Sequence, residues 1–319
     1  MNTTPSEHIV IAGGSGFLGR LLSQHFLEQG RRVIVLTRGK PRSEDGLEYV
    51  HWDGETLTDW QGSLNGSAAL INLAGRSVDC RYDTRNRRLI MDSRINSTRV
   101  LGEAITRCDQ PPPVWLNSST ATIYRHTFNS PWDENGEIGA TSAAKDEFSI
   151  YVARAWERAF FKTETPNVRK VALRSAMVLG TGRNSVFPVL QRLVRFGLGG
   201  AMAGGNQFVS WIHQRDFSRA IDHIVENNTI KGAINVAAPA PLVNRDMMRI
   251  LREQCDAPLG IGLPAPEWLL EFGAWLLRTE TELIVKSRNV APHRLSATDF
   301  EFKFSRFIDA VRDLVSETS

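Results

Sequence analysis

The chain has 319 residues, 42% of them hydrophobic and 23% charged, and its 38 basic side chains stand against 35 acidic ones. That length can bury one large core or two interlocked ones, and the charge is too evenly balanced to predict a nucleic-acid partner. Three cysteines, Cys80, Cys108 and Cys255, odd in number and far apart, supply neither a disulfide framework nor a zinc spacing, so reduced thiols, a cytoplasmic location and no metal site are expected.

The leader before His8 lacks the basic and apolar regions of a secretory signal. Near the C-terminus, the apolar stretch Trp268 to Leu277 carries Glu271 and is too short to span a bilayer, so no membrane partner is expected.

A brief apolar run, His8 to Ala12, leads into Gly13, Gly14, Ser15, Gly16, Phe17, Leu18 and Gly19. A helical pattern then reaches Gly30 with Leu21, Leu22, Phe26 and Leu27 on one face. Strand, tight turn and helix in this order read as a dinucleotide cradle, although the spacing is GxxGxxG rather than the usual GxGxxG. Gly13 takes the turn's backbone angles, Gly16 lets the main chain approach a pyrophosphate, and Gly19 lets the helix lie close on the strand. The main chain from Ser15 through Phe17 and Leu18 then offers unpaired N–H groups and the positive end of the helix dipole to phosphates.

A second buried strand, Val33 to Thr37, ends at Arg38, with Lys40 and Arg42 close behind and no acid before Glu44. An acid at this edge bonds a ribose 2′-hydroxyl, whereas arginine accommodates a 2′-phosphate. Thr37 and Arg38, helped by Arg20 or Lys40, therefore predict NADP(H) over NAD(H); the alternative is a solvated basic loop. Leu47 to Trp52 reads as a third strand, with Asp53 placed toward the adenine, and Ala68 to Leu73 as a fourth, closing in Asn72, Leu73, Ala74 and Gly75. A helix from Thr84 to Cys108 is stopped by Pro111, Pro112 and Pro113. Strand Val114 to Asn117, a helix from about Lys145 to Lys162, and strand Val168 to Arg174 follow.

Strands alternating with helices predict an α/β fold with a doubly wound parallel sheet. Beyond Gly180, the glycines 197, 199, 200, 204 and 205 crowd a loop before Phe208 to His213. Gly232 to Ala237 is a further strand. Asn244 is expected to cap a helix to about Cys255. Pro258, Pro264 and Pro266 separate later helical segments, the last marked by Phe307, Val311 and Leu314.

GGSGFLGR at Gly13, NLAG at Asn72, SSTATIY at Ser118, LRSAMVLG at Leu173 and SWIHQRD at Ser210 together resemble the extended short-chain dehydrogenase/reductases. More narrowly the chain is similar to the atypical, YfcH-type epimerase family proteins, with Ser93, Arg94, Ile95 and Thr98 as one shared pattern and Trp156 and Glu157 as another. Their C-terminal module of unknown function resembles residues 264 to 315, including Pro292 and the FEFKF stretch at Phe300. The resemblance implies an NADP(H)-binding Rossmann domain over residues 1–239, with residues about 180–215 contributing to the cleft. A smaller, mostly helical C-terminal domain over 240–319 closes over the nicotinamide. It also implies that the backbone of Asn72 to Gly75 meets adenosine, that Ser118 contacts the coenzyme, and that Ser175 to Val178, Met177 included, border the nicotinamide. Relatives pair through helices equivalent to 84 to 108 and 145 to 162, which leaves monomer or homodimer open here.

The wider superfamily uses a Tyr-x-x-x-Lys dyad, in which tyrosine moves a proton to or from a carbonyl oxygen and lysine lowers its pKa. The chain has four tyrosines, followed four places on by Asp53, Asn86, Phe128 and Ala155, so the dyad is absent. Counting back from Glu157, the two positions fall at Ser149 and Ala153. Tyr151 lies about 200° round the helix from residue 149 and is expected to point away. What remains near the expected site is Ser118, Ser119, Thr120, Tyr124 and Lys145. Ser119 or Tyr124 could position or protonate a carbonyl oxygen, or the serines could only satisfy backbone groups.

Arg94 stands where extended relatives have a structural asparagine, and could grip an acidic substrate group or pair with a carboxylate. Trp211 and His213 are expected to face the substrate cleft, Trp211 as a wall and His213 as a catalytic or a structural group, with Asp216 capping the next helix. Two functions follow. One is an NADP(H)-dependent oxidoreductase or epimerase-like enzyme on an unidentified small carbonyl or alcohol substrate. The other is a non-catalytic NADP(H)-binding regulatory protein acting through a protein partner, with the cell-division link that the resemblance suggests.

Overall fold

Side chains alternate across a strand, and in β1 (Ile9–Ala12) both faces are apolar: Ile9 and Ile11 join one buried cluster, Val10 and Ala12 another. Such a strand must be covered on both sides. The computed structural model, which describes residues 8–260, 262–266 and 282–318, shows how. Helices α1 (Phe17–Glu28) and α5 (Gln214–Glu226) bring Leu22, Phe26, Phe217 and Ile221 to the first face. Helices α2 (Thr84–Thr106) and α3 (Glu147–Lys162) bring Val100, Leu101 and Phe160 to the second.

The sheet continues through β2 (Val33–Thr37), β3 (Arg42–Glu44), β4 (Leu47–His51), β5 (Ala69–Asn72), β6 (Val114–Thr120), β7 (Arg169–Ser175) and, last in sequence, β11 (Gly232–Val236). Its order is β11-β7-β6-β5-β1-β2-β4-β3, parallel except for the antiparallel edge pair β3 and β4. The doubly wound architecture expected from the sequence is therefore present. Because β1 is flanked by β2 on one side and β5 on the other, the chain reverses direction around it. A crevice opens there beyond the carboxyl ends of the strands, where such sheets bind ligands.

A second core interlocks parts of the chain from before and after residue 239. Leu179 of β8 (Met177–Leu179), Phe187 and Val194 of α4 (Phe187–Arg195), and Trp211 of β10 (Trp211–His213) pack with Met248 and Leu251 of α6 (Asn244–Gln254). Phe307, Val311 and Leu314 of the C-terminal helix Phe307–Thr318 complete the cluster.

Several local expectations change. The strand at Val114 runs on to Thr120 because β7 stays paired beside it, which puts Ser118, Ser119 and Thr120 on a strand. Phe208 to His213 breaks at Ser210, where β9 (Phe208–Val209) turns to pair with β12 (Leu242–Val243) and β10 pairs with β8. Asn244 is not a cap: its Oδ1 accepts the Met202 N–H at 2.8 Å. Nor is Asp216, since His213 Nδ1 accepts from the Arg215 N–H at 3.1 Å. Fully buried Asp216 instead accepts the N–H groups of Lys303 and Phe304, pinning the FEFKF stretch to α5. Helix α4 was not expected. Trp268 to Leu277 lies outside the described residues, and among those described no helix is long and apolar enough to cross a membrane.

Candidate functional site

The glycine turn leaves the end of β1 with Gly13 at φ 74°, a conformation that favours glycine, and a Cβ there would sit 2.7 Å from Ala74 Cα. Gly19 allows a still closer approach, its virtual Cβ lying 2.2 Å from Gly14 Cα, so α1 packs against the turn itself rather than the strand proper. Gly16 differs: nothing lies within 4 Å of where its Cβ would be. It also occupies the N-cap position of α1 with no side-chain cap, and no acid stands in the first turn. Open space beside uncapped N–H groups at the positive end of a helix fits a pyrophosphate. Arg20 fastens the turn, donating to the Ser15 carbonyl at 2.6 Å and the Arg183 carbonyl at 3.3 Å, so it is not free to read a ribose phosphate. Phe17 lies over Gly180 and Gly182, where no Cβ would fit.

At the end of β2, Thr37 is buried and its Oγ1 accepts the Gly39 N–H, while Arg38 is exposed with no ion pair or hydrogen bond among the described residues. Nothing at Arg38 competes with a phosphate. Asp53 is exposed and fastens its own turn. Its Oδ1 accepts the N–H groups of Glu55 and Thr56, both at 2.8 Å; burial works against ionisation, but these bonds outweigh it and hold the carboxyl below its ordinary range.

Across the crevice, the buried amide of Asn72 shapes its own loop. Oδ1 accepts the Ala74 N–H at 3.0 Å and Nδ2 donates to Asn117 Oδ1 at 2.7 Å. Leu73, Ala74 and Gly75 then form one wall of a cavity of about 290 Å³ whose other walls include Tyr82, Arg94, Ser118, Ser119, Thr120, Thr122, Phe148 and Trp156. Ser149 and Ala153, the positions counted back from Glu157, also line it, and Tyr151 points away, 66% exposed.

The hydroxyls of both proposed catalytic groups are held in a buried network, although Ser119 also lines the cavity. Ser119 Oγ donates to Glu157 Oε1 at 2.6 Å, and Arg174 clamps the same carboxylate through Nε and Nη2, each at 2.9 Å. Burial opposes the Arg174 charge, but the Glu157 pair prevails and raises its pKa. Arg174 Nη1 donates to the Tyr124 hydroxyl, which itself donates to Asn235 Oδ1 at 2.8 Å. Tyr124 is buried outside the cavity, and burial pushes its hydroxyl up to about 12 against the pull of Arg174. This network ties β6, α3, β7 and β11 together.

His213 and Trp211 are likewise withdrawn from the cleft. His213 is fully buried, stacked on Phe304, and burial followed by Arg215 lowers its pKa to about 3. Trp211 donates to the Ala240 carbonyl at 3.0 Å and packs on Phe307 in the second core. Ser175 Oγ is 3.4 Å from the Leu173 carbonyl, and Met177 packs against that same core.

What the sequence reading missed is the contribution of residues 282 to 288. Ser149 Oγ donates to Glu282 Oε2 at 2.7 Å; Glu282 is 6% exposed, its Oε1 has no partner among the described residues, and burial raises its pKa. Lys286 pairs with buried Asp146 and donates to the Thr122 carbonyl, while Arg288 Nε donates to Thr122 Oγ1. Three charges set around the apolar run Leu283 to Val285 in ELIVKSR were the available signal.

The open turn after β1, the arginine after β2 and the cavity at the ends of β5 and β6 stand at the carboxyl ends of adjacent parallel strands around the switch point, as an extended dinucleotide requires. Fold and site together define an NAD(P)-binding protein of the short-chain dehydrogenase/reductase class. The chain belongs to the NAD dependent epimerase/dehydratase family, whose model matches residues 9–237, and residues 265–314 match a domain of unknown function, DUF1731. It is similar to the epimerase family protein YfhF of Bacillus subtilis, 30% identical over 312 residues that cover 97% of this chain and 98% of that one. The crystal structure of human epimerase family protein SDR39U1 with NADPH superposes with a TM-score of 0.83 at 25% identity, covering 97% and 99% of the two chains. A UDP-N-acetylglucosamine 4-epimerase from Bacillus cereus shares the fold, with a TM-score of 0.72 at 18% identity over 97% and 95%.

Proposed function

We propose that the protein is an NADP(H)-dependent oxidoreductase or epimerase-like enzyme acting on a small carbonyl or alcohol compound, in the cytoplasm and as a monomer or homodimer. The observation that carries the choice of coenzyme is Arg38, exposed and unpaired where a 2′-phosphate is read, with no acid beside it. The NADPH in the human relative supports the same choice.

The bound nicotinamide supplies or accepts a hydride. The chain's part is to hold the substrate oxygen and move a proton. Hydroxyls of Ser118 and Thr120 stand at the cavity wall, and Ser149 offers a proton path to Glu282, whose raised pKa lets it hold a proton closer to neutrality. Ser119 and Tyr124 position other groups through the Glu157 and Arg174 network. The test is titration of the purified protein with NADPH and NADH, followed by NADPH oxidation across aldehydes, ketones and sugar nucleotides. Preference for NADPH and turnover of at least one class are expected; no uptake of either coenzyme at millimolar supply overturns the reading.

One observation favours a second reading. Ser149 and Ala153 line the cavity where the superfamily places its tyrosine and lysine, which suits a regulatory protein that binds NADP(H) without turnover and acts through a partner. NADPH binding with no turnover, and a partner captured in only one coenzyme state, would decide for it.

A further inference from the structure

Arg94 is the one charged side chain among the residues lining the 290 Å³ cavity. Its Nη1 donates to the carbonyls of Arg76 at 3.1 Å and Ile90 at 3.0 Å, and its guanidinium lies 5.1 Å from the ring of Trp156. That ring is fixed in turn by its Nε1 donating to Thr98 Oγ1 at 3.1 Å. Gly75 makes room, since a Cβ there would meet Arg94 Cζ at 3.3 Å. The side chain is thus held in one pose by main-chain carbonyls, an anchored indole and a glycine.

No carboxylate pairs with Arg94 among the described residues. The contrast with Arg174 is direct, for Arg174 uses its Nε and Nη2 edge to hold both oxygens of Glu157 at 2.9 Å each. Among the described residues, the same edge of Arg94 has no hydrogen-bond partner. Among the described acids, Asp146 pairs with Lys286, and Glu282 accepts from Ser149 through Oε2, with Arg288 and Lys286 beside it. A half-covered guanidinium loses hydration, and here burial brings its pKa down to about 10 with only Tyr82 opposing. A desolvated cation with no counter-ion is costly, and a planar fork lends itself to a bidentate partner.

We propose that Arg94 binds a carboxylate of the substrate, so that the small carbonyl or alcohol compound is an oxo or hydroxy acid. The acid group sits against Arg94 and Gly75, and the carbonyl or hydroxyl carbon faces the hydroxyls of Ser118, Thr120 and Ser149 across the cavity. This rests on the oxidoreductase reading above.

The test compares pyruvate and 2-oxobutanoate with their methyl esters by calorimetric titration, on the free protein and on the protein saturated with NADPH, in the wild type, Arg94→Gln and Arg94→Lys. At least about tenfold tighter binding of acid than ester is expected, lost in Arg94→Gln and partly kept in Arg94→Lys, with NADPH affinity unchanged. Equal binding of acid and ester, or no binding of either, overturns the proposal. So does a loss of NADPH affinity in Arg94→Gln as large as the loss for the acids, because the anion would then belong to the coenzyme. The outcome that sinks the oxidoreductase reading is separate: no NADPH uptake, while the acid and ester pair can still be compared on the free protein.

Discussion

Single side chains divide by whether a partner in the fold has already claimed them. Arg38 is unclaimed, so its removal should be read by the ligand: Arg38→Ala is expected to weaken NADPH by about 1.5–3 kcal/mol, as for hydrogen bonds to a charged group, and NADH far less, measured by calorimetry. Equal losses for both coenzymes would assign the ribose to another residue. Tyr124 is claimed twice, by Arg174 and by Asn235. Tyr124→Phe should therefore leave any NADPH-dependent turnover intact while costing roughly 1–3 kcal/mol in urea unfolding, because a buried donor and acceptor lose their partner. A large fall in turnover at unchanged stability would restore the hydroxyl to the chemistry. The place of Arg38 just past β2 was legible in the sequence because the apolar run of that strand stops at Thr37. Tyr124 was misplaced because its partners lie 50 and 111 residues away along the chain.

At the scale of elements, β1, the glycine turn and α1 act as one unit. Gly19→Ala would push a methyl into the Gly14 backbone, which cannot yield as a side-chain tip does. Shifting α1 outward should cost about 1–3 kcal/mol in thermal or urea unfolding, with a parallel loss of NADPH affinity. Wild-type binding and stability in this variant would show that the turn tolerates looser packing. The unit was readable because spacing alone dictates it, down to the buried stripe of Leu22 and Phe26. The extension of β6 through Ser118, Ser119 and Thr120 was not, because polar residues with no strand pattern of their own stay extended only while β7 bonds them.

For the molecule as a whole, the C-terminal residues are bonded to side chains that line the cavity. Glu282 reaches Ser149, Arg288 reaches Thr122, and the Asn235 amide donates to the Ala291 carbonyl at 2.9 Å. On the other side of the fold, His213 is buried neutral between α5 and the C-terminal helix, its Nε2 lying 3.2 Å from Asp313. Its folded pKa of about 3 lies below the ordinary value of 6.5, so its contribution to stability is complete above pH 6.5 and is lost as the pH falls toward 3. Each pH unit in that window costs up to about 1.4 kcal/mol. Asp313, raised by burial, works in the opposite sense at the acid end. Unfolding free energies measured across this window should slope less steeply in His213→Gln; an unchanged slope would mean that the histidine is protonated in the fold.

The sequence by itself determined the doubly wound sheet, the glycine turn between β1 and α1 and the family, because these follow from periodicity, glycine geometry and residue order within short stretches. Only the tertiary structure decided which polar side chains are free to act. It buried Ser119, Tyr124, Trp211 and His213 among distant partners, left Arg94 without an acid among the described residues, and carried Glu282 to Ser149. Hydrogen bonding and desolvation are settled by neighbours in space, and a linear pattern does not name them.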